Sequence, residues 1–365
     1  MTRLREAFSD LAEQAPLVDL ADAAIAGHVR RRRTGRAVAA LATVTALGLT
    51  GAVTAALPWA PSPAPVAAER GDNTDKVPDL PSAPGSPLGY AYQTPCAKEP
   101  YDCSRSTWRV VTRSGKTYRL PRALAYTAQN NTAPVSISRD GMLLAYYDPT
   151  EGAHVVHDLG RGTRIVSRLR LGKDRMGAGS MLVVSDDGRH LAFDPREGSK
   201  EPGMVIDVRT GTSVPVPGAY EPVSIKDGVA SLVRYRKTDL WLMPVTGGGK
   251  PVRFDGAFIM FSELAPDGRT VAAVRHRRSL RNELTLLDTK NGRTLRTVPV
   301  HGLADGGALI GTGPWRGPQE ITVQYAGTGG VRTYAVDLRT GRARQLDRYP
   351  GKLSTVTLPG QAQPG

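Results

Sequence analysis

Cysteine, histidine and aromatic side chains are scarce in this chain, and each shortage closes off a class of chemistry. Its 365 residues hold 2 Cys, 6 His, 5 Phe, 4 Trp and 12 Tyr. With a single cysteine pair, seven residues apart, and no Cys-x-x-Cys, a structural zinc site has no ligand set, and no Cys-His motif supplies a thiol nucleophile. Aromatics this few do not make a base-stacking platform, so no nucleic-acid partner is expected. The histidines (His28, His154, His157, His190, His276 and His301) show neither metal nor triad spacing. His154 and His157 stand three apart in one strand and point to opposite faces. Gly177-Ala178-Gly179-Ser180-Met181 is not the Gly-x-Ser-x-Gly elbow. No cofactor and no metal is expected.

What the chain has instead is a repeat. Ser136 to Tyr147 reads as a strand, an Asp-Gly turn and a second strand, and Val155 to Thr163 as a third strand closed by a glycine turn. Asp140-Gly141 returns as Asp187-Gly188, Asp227-Gly228 and Asp267-Gly268. Asp-Gly between apolar runs suits a tight hairpin, since glycine takes positive φ without strain. The aspartates read as turn formers rather than a calcium shell, which needs several oxygens in one loop. The closing glycines 115, 162, 211, 248, 292 and 341 stand 47, 49, 37, 44 and 49 residues apart. A period of roughly 40 to 50 with four short strands per unit marks propeller blades, and six such glycines predict six blades. One four-stranded sheet cannot bury both its faces, whereas a ring of sheets can.

Ala265-Pro266-Asp267-Gly268-Arg269-Thr270-Val271-Ala272 and Ser185-Asp186-Asp187-Gly188-Arg189-His190-Leu191-Ala192-Phe193 resemble the WD40-like repeats of the TolB type. The resemblance covers about residues 88 to 358; the last unit has Trp315-Arg316-Gly317-Pro318-Gln319-Glu320 where Asp-Gly is expected. It implies an all-β, six-bladed propeller with four strands per blade and a protein-interaction role. The first blade supplies only three strands, so Leu353 to Leu358 is expected to complete it and close the ring.

Upstream, residues 1–36 form two short amphipathic patterns ending in Arg30-Arg31-Arg32-Arg33 and Arg36. Residues 37–57 are 21 positions without a charge, spanning roughly 31 Å as a helix. The arginines just before this stretch put the amino terminus in the cytoplasm and the rest outside, so it reads as a transmembrane anchor. A cleaved signal peptide, with Val66-Ala67-Ala68 as cleavage site, is the competing reading. Residues 58–87 are rich in Pro and Ala and read as a disordered linker; residues 359–365 read as a disordered tail. In an extracytoplasmic domain Cys96 and Cys103 read as a disulfide.

The formal charge is +14, and residues 88–365 carry all of the excess, with 39 Lys/Arg against 25 Asp/Glu. Basic clusters occur at Arg164, Arg168, Arg170, Lys173 and Arg175, at Arg234, Arg236 and Lys237, and at Arg275, Arg277, Arg278 and Arg281. Outside the cell these are solvated residues or meet anionic headgroups or envelope polymers. The layout of tail, arginine run, anchor and outer domain resembles membrane-bound anti-sigma factors, without their His-x-x-x-Cys-x-x-Cys motif, and makes residues 1–36 a candidate site for a cytosolic partner. The expectation is a non-enzymatic single-pass membrane protein whose propeller binds a protein or ligand. The alternative is an extracytoplasmic hydrolase or lyase in the central channel, which Asp, Glu and His side chains gathered at one channel mouth would favour.

Overall fold

The computed structural model describes residues 77–98, 101–235, 238–276, 282–327, 330–349 and 356–362. The expected anchor 37–57, the arginines Arg30 to Arg33 and Arg36, and the cytoplasmic tail lie outside the described residues. No helix among the described residues is long and apolar enough to cross a membrane.

Six four-stranded antiparallel sheets follow one another along the chain. Blade two is typical, with strands Val135–Ile137, Leu143–Asp148, Ala153–Asp158 and Thr163–Arg170 from the inside outward. Blade three uses Met181–Val184, His190–Asp194, Gly203–Asp207 and Ser213–Val216, and blade four Glu221–Lys226, Val229–Arg234, Asp239–Pro244 and Val252–Arg253. Blade five uses Phe258–Ile259, Thr270–Arg275, Glu283–Asp288 and Thr294–Pro299; blade six uses Ala308–Gly317, Glu320–Gly327, Gly330–Asp337 and Ala343–Arg348. Blade one takes Leu88–Gln93, Trp108–Thr112 and Thr117–Leu120 from the front of the ring and Val356–Thr357 from its end. Ala91 lies opposite Thr357 and Tyr92 opposite Val356, which is the expected closure.

The middle strands are apolar on both faces because each face meets a different neighbour. On Leu143–Asp148, Leu144 and Tyr146 pack against blade one with Leu88, Trp108 and Val110. Leu143, Ala145 and Tyr147 pack against blade three with Leu182, Leu191 and Phe193. The pattern continues around the ring through Val183, Ala192, Ala230 and Leu232, Val233, Phe258 and Val271, and Val274, Leu284, Ile321 and Tyr334. A sixth cluster of Tyr349, Val356 and Leu358 joins blade six to blade one. Six interfaces for six blades is what a closed ring requires. Each fully buried Leu, Val or Phe contributes about 1.5–3 kcal/mol.

The turns refine the Asp-Gly reading. Of the four Asp-Gly turns, that of blade four is a two-residue hairpin, with Lys226 opposite Val229 and both Asp227 (φ 49°) and Gly228 (φ 72°) left-handed, the signature of a type I′ turn. In blades two, three and five the loop is wider. There Ser138 N–H reaches Leu143 O, Ser185 N–H reaches His190 O, and Ala265 N–H reaches Thr270 O. The aspartate then spans the loop: Asp140 accepts from Ser138 Oγ at 2.6 Å and Met142 N at 2.9 Å.

Both flanking segments depart from the free-chain expectation where they are described. Residues 77–87 run along blades one and two: Leu80 N–H donates to Arg119 O, Arg119 N–H to Pro78 O and Arg113 N–H to Pro87 O, each at 2.8 Å. His157 Nε2 meets Ser82 O at 2.9 Å. At the other end, Pro359–Ala362 lie in the ring. Gly360 N–H donates to Ile137 O of blade two, Gln361 is buried beside Gly313 of blade six, and Ala362 packs on the cluster between blades three and four. Polar composition suggested a tail, but the backbone partners offered by a propeller channel hold it in place.

Candidate functional site in the central channel

In blades two to five the inner strand runs towards its Asp-Gly turn, so those turns define one end of the channel and the starts of the inner strands define the other. Pro359–Ala362 cross the channel at the turn end, since Gly360 lies against Arg139, the residue before Asp140, and against Pro314. Above this floor is a cavity of 350 Å³, walled by the inner strands of blades three to six through Met181, Glu221, Val223, Met260 and Thr312.

Carboxylates dominate the polar lining. Glu263, near the floor, is matched: its Oε1 accepts Trp315 N–H at 3.0 Å, and its Oε2 pairs with Arg139 at 3.1 Å. At the opposite end Glu197 and Glu221 line the cavity, and Asp194 lies just behind them, 1% exposed. Asp194 Oδ1 accepts Arg196 N–H at 3.2 Å, while Oδ2 has no hydrogen-bond partner among the described residues. Burial, opposed by the Arg196 N–H and reinforced by the charges of Glu197 and Glu201, pushes the Asp194 carboxyl up to about 7. Glu221 is pushed up to about 8, by burial first and then by Glu197 and Asp194. Tyr235, on the same side of blade four, is held well above the usual phenol range by burial and then by Glu221 and Glu197.

These carboxylates are not demanded by the fold. Six residues beyond the turn glycine stands Tyr147 in blade two, Asp194 in blade three and Val274 in blade five. Across the sheet, Asp194 pairs with Met181, Val233 with Glu221, and Val274 with Ile259. In two adjoining blades, then, an acid replaces an otherwise apolar member of this pair. Sequence reading missed all four residues (Asp194, Glu197, Glu221 and Glu263); the departure of Asp194 from its repeat position was the available signal.

The residues singled out from sequence lie elsewhere. Asp140, Asp187 and Asp267 accept hydrogen bonds within their own turns, beside Gly141, Gly188 and Gly268 at positive φ. Cys96 and Cys103 form a disulfide at the mouth of a short hairpin between the first two strands of blade one. His154 and His157 do point to opposite faces: His154 packs against Tyr147 and Phe193 towards blade three, and His157 reaches Ser82. Several arginines of the basic clusters are committed to neighbours. Arg164 pairs with Asp148 at 2.9 Å, Arg175 with Glu201 at 3.1 Å, Arg234 with Asp239, and Arg275 covers the Phe258 ring. Arg236, Lys237, Arg277, Arg278 and Arg281 lie outside the described residues. Among the described residues no group of three or more His, Cys, Asp or Glu is placed to hold a metal ion.

The chain folds as a propeller of six blades. No family model matches it, and no curated protein does. Among solved structures it is similar to TolB from Acinetobacter baumannii, with 17% identity over 74% of this chain and 65% of that one and a TM-score of 0.46. It is similar also to the dihydro-heme d1 dehydrogenase NirN (16% identity, 75% and 58% covered, TM-score 0.42) and to a prolyl endopeptidase (13%, 74% and 43%, TM-score 0.45). The chain thus spans less than two thirds of each of these three proteins. Such likenesses concern the fold and carry nothing about the site.

Proposed function

We propose that this chain is a binding protein whose ligand or protein partner enters the channel from the end opposite the Asp-Gly turns. The observation that carries this reading is the cavity itself, a concave space walled by four blades and floored by the chain's own carboxy-terminal residues, the form that ligand sites take. In this reading residues 37–57 anchor the protein in the membrane, with Arg30 to Arg33 and Arg36 on the cytoplasmic side and the propeller outside, where the Cys96–Cys103 disulfide is stable. Residues 1–36 then offer a cytosolic partner a short helical handle, the layout of a sensor. Protease added to intact cells should digest the propeller and spare residues 1–36; the reverse pattern would invert this topology.

A photo-crosslinking residue at Ile310, exposed on the cavity wall, tests the binding reading against one at Leu295, exposed on the outer strand of blade five. Discrete adducts from position 310 are expected. Adducts from position 295 alone would move the partner to the rim.

A hydrolase or lyase in the channel is the second reading, and one observation favours it. Carboxyl groups that hold protons near neutral pH are suited to general acid or base work, and Asp194 and Glu221 meet at the channel mouth. Binding is the reading adopted because the concave cavity supports it without any further group. A hydrolytic activity lost in both D194N and E221Q would reverse that choice.

A further inference from the structure

We propose that the channel cavity takes a primary ammonium carried on an apolar stem, of the size and shape of a lysine side chain, with its charge set against Glu197 and Glu221, behind which the Asp194 carboxyl lies. This deepens the binding reading above and rests on it.

The cavity holds a surplus of acceptors. Gln361 in its floor is 6% exposed, and its Oε1 has no hydrogen-bond partner. Behind the lining at the other end Asp194 is 1% exposed, and its Oδ2 has none either. Buried acceptors without donors are costly, and an ammonium brings three N–H donors and no acceptor. The charges tell the same story. Arg139 answers Glu263 and Arg175 answers Glu201, but among the described residues no ion pair reaches Asp194 or Glu221. Cations are not in short supply in a chain with 48 Lys and Arg, yet Glu221 takes a backbone N–H, that of Gly198, instead. The repeat positions concerned are apolar in other blades, so ring packing does not call for acids there.

The walls select the kind of cation. Met181, Val223, Met260 and Phe261 offer apolar surface to a methylene stem. A divalent ion needs several oxygens gathered on one centre, and no such group is placed to hold one among the described residues. An alkylammonium needs only opposite charge and donors satisfied, with the remainder of the ligand buried against apolar walls.

Binding of this kind is linked to protons. The groups that face the cluster are Glu197, Glu201 and the Arg196 backbone from the loop of blade three, Arg175 paired to Glu201, and Tyr235 from blade four. Mutual repulsion and burial keep a proton on the cluster at neutral pH, and an arriving ammonium displaces it. Affinity should therefore rise from pH 6 to pH 8.5, with proton release on binding.

The test is calorimetric titration of the full chain with pentane-1,5-diamine at pH 8, in two buffers of different ionisation enthalpy, with pentan-1-ol and calcium chloride as comparators. Saturable binding of the diamine, proton release, and an affinity about tenfold weaker in both E221Q and D194N are expected. Thermal unfolding checks that both variants fold. Equal binding of pentan-1-ol would show a cavity that selects the stem alone and would overturn the ammonium while sparing the channel. Calcium binding lost in E221Q would overturn it in favour of a metal ion. Silence from the diamine with cross-links still forming at position 310 would sink this proposal and leave the binding reading standing; silence in both would sink both.

Discussion

Tyr92, in the second strand of blade one, lies directly opposite Val356, in the last strand of the chain. Among the described residues that pairing closes the ring through Val356 and Thr357, and the cluster behind it holds three buried side chains, Tyr349, Val356 and Leu358. Among the described residues it is the smallest of the six clusters. Val356→Asp, which puts a charge where a buried methyl pair stood, is expected to cost about 3 kcal/mol or more. Chemical denaturation followed by fluorescence measures it. A change below about 0.5 kcal/mol would mean that blade one does not depend on the closing strand.

A closing-turn glycine and an Asp-Gly glycine of the same blade make a second, sharper contrast. Gly292 has φ +74°, and a Cβ built on it would lie 1.9 Å from Arg253 O of the preceding blade. Gly268 has a similar φ of +66° but opens onto empty space. Gly268→Ala therefore costs only the left-handed conformation, about 1 kcal/mol. Gly292→Ala adds a clash with backbone that cannot swing aside and is expected to cost at least about 3 kcal/mol. Equal losses in the two variants, read from their unfolding midpoints, would refute the close approach of the blades.

That contrast also shows what the sequence made legible. The six closing glycines were regular enough to count the blades, because all six are left-handed and at Gly211, Gly292 and Gly341 a close approach adds to that demand. Closure by the last strand followed from a blade one strand short. Apolar runs did not reveal that Leu144 and Leu143 serve different interfaces, but the alternation of a strand implies it. The channel was another matter. Asp194, Glu197, Glu221 and Glu263 come from three blades and two kinds of loop, and no local pattern brings them together. Residues 359–362 read as coil because their partners, Ile137 and Gly313 among them, are remote in sequence.

Asp194 yields a prediction with a definite sign. Its carboxyl is raised from 3.8 to about 7, so the folded chain keeps a proton that the unfolded chain has released. Well below pH 4 both states are protonated and the group sets no difference between them; stability is lost as pH rises from about 4, where the unfolded chain releases the proton, and the loss is complete near 7 at about 4 kcal/mol. Asp194→Asn should therefore be more stable than the parent at pH 8 and no more stable at pH 4. Denaturation curves at the two pH values decide it, and a variant less stable at both would mean that the carboxylate is needed by the fold.

His154 should act in the opposite sense. Both ring nitrogens are buried without hydrogen-bond partners, and the ring is held 5.6 Å from that of Tyr147 and 4.8 Å from that of Phe193. Burial lowers its pKa from 6.5 to about 4. The neutral ring is native, so its contribution is whole above pH 6.5 and is lost as pH falls towards 4, where the unfolded chain has taken up a proton and the folded chain has not. The loss amounts to about 3 kcal/mol. His157 and His190, also lowered by burial, act in the same direction, while Asp194 acts against them, so the parent's own pH profile mixes these effects. His154→Phe isolates one of them. The larger ring is expected to cost about 1–3 kcal/mol at pH 7.5 through overpacking, but the gap between variant and parent should narrow or reverse by about 3 kcal/mol at pH 4. A gap that stays constant between the two pH values would show that the imidazole is not buried in its neutral form.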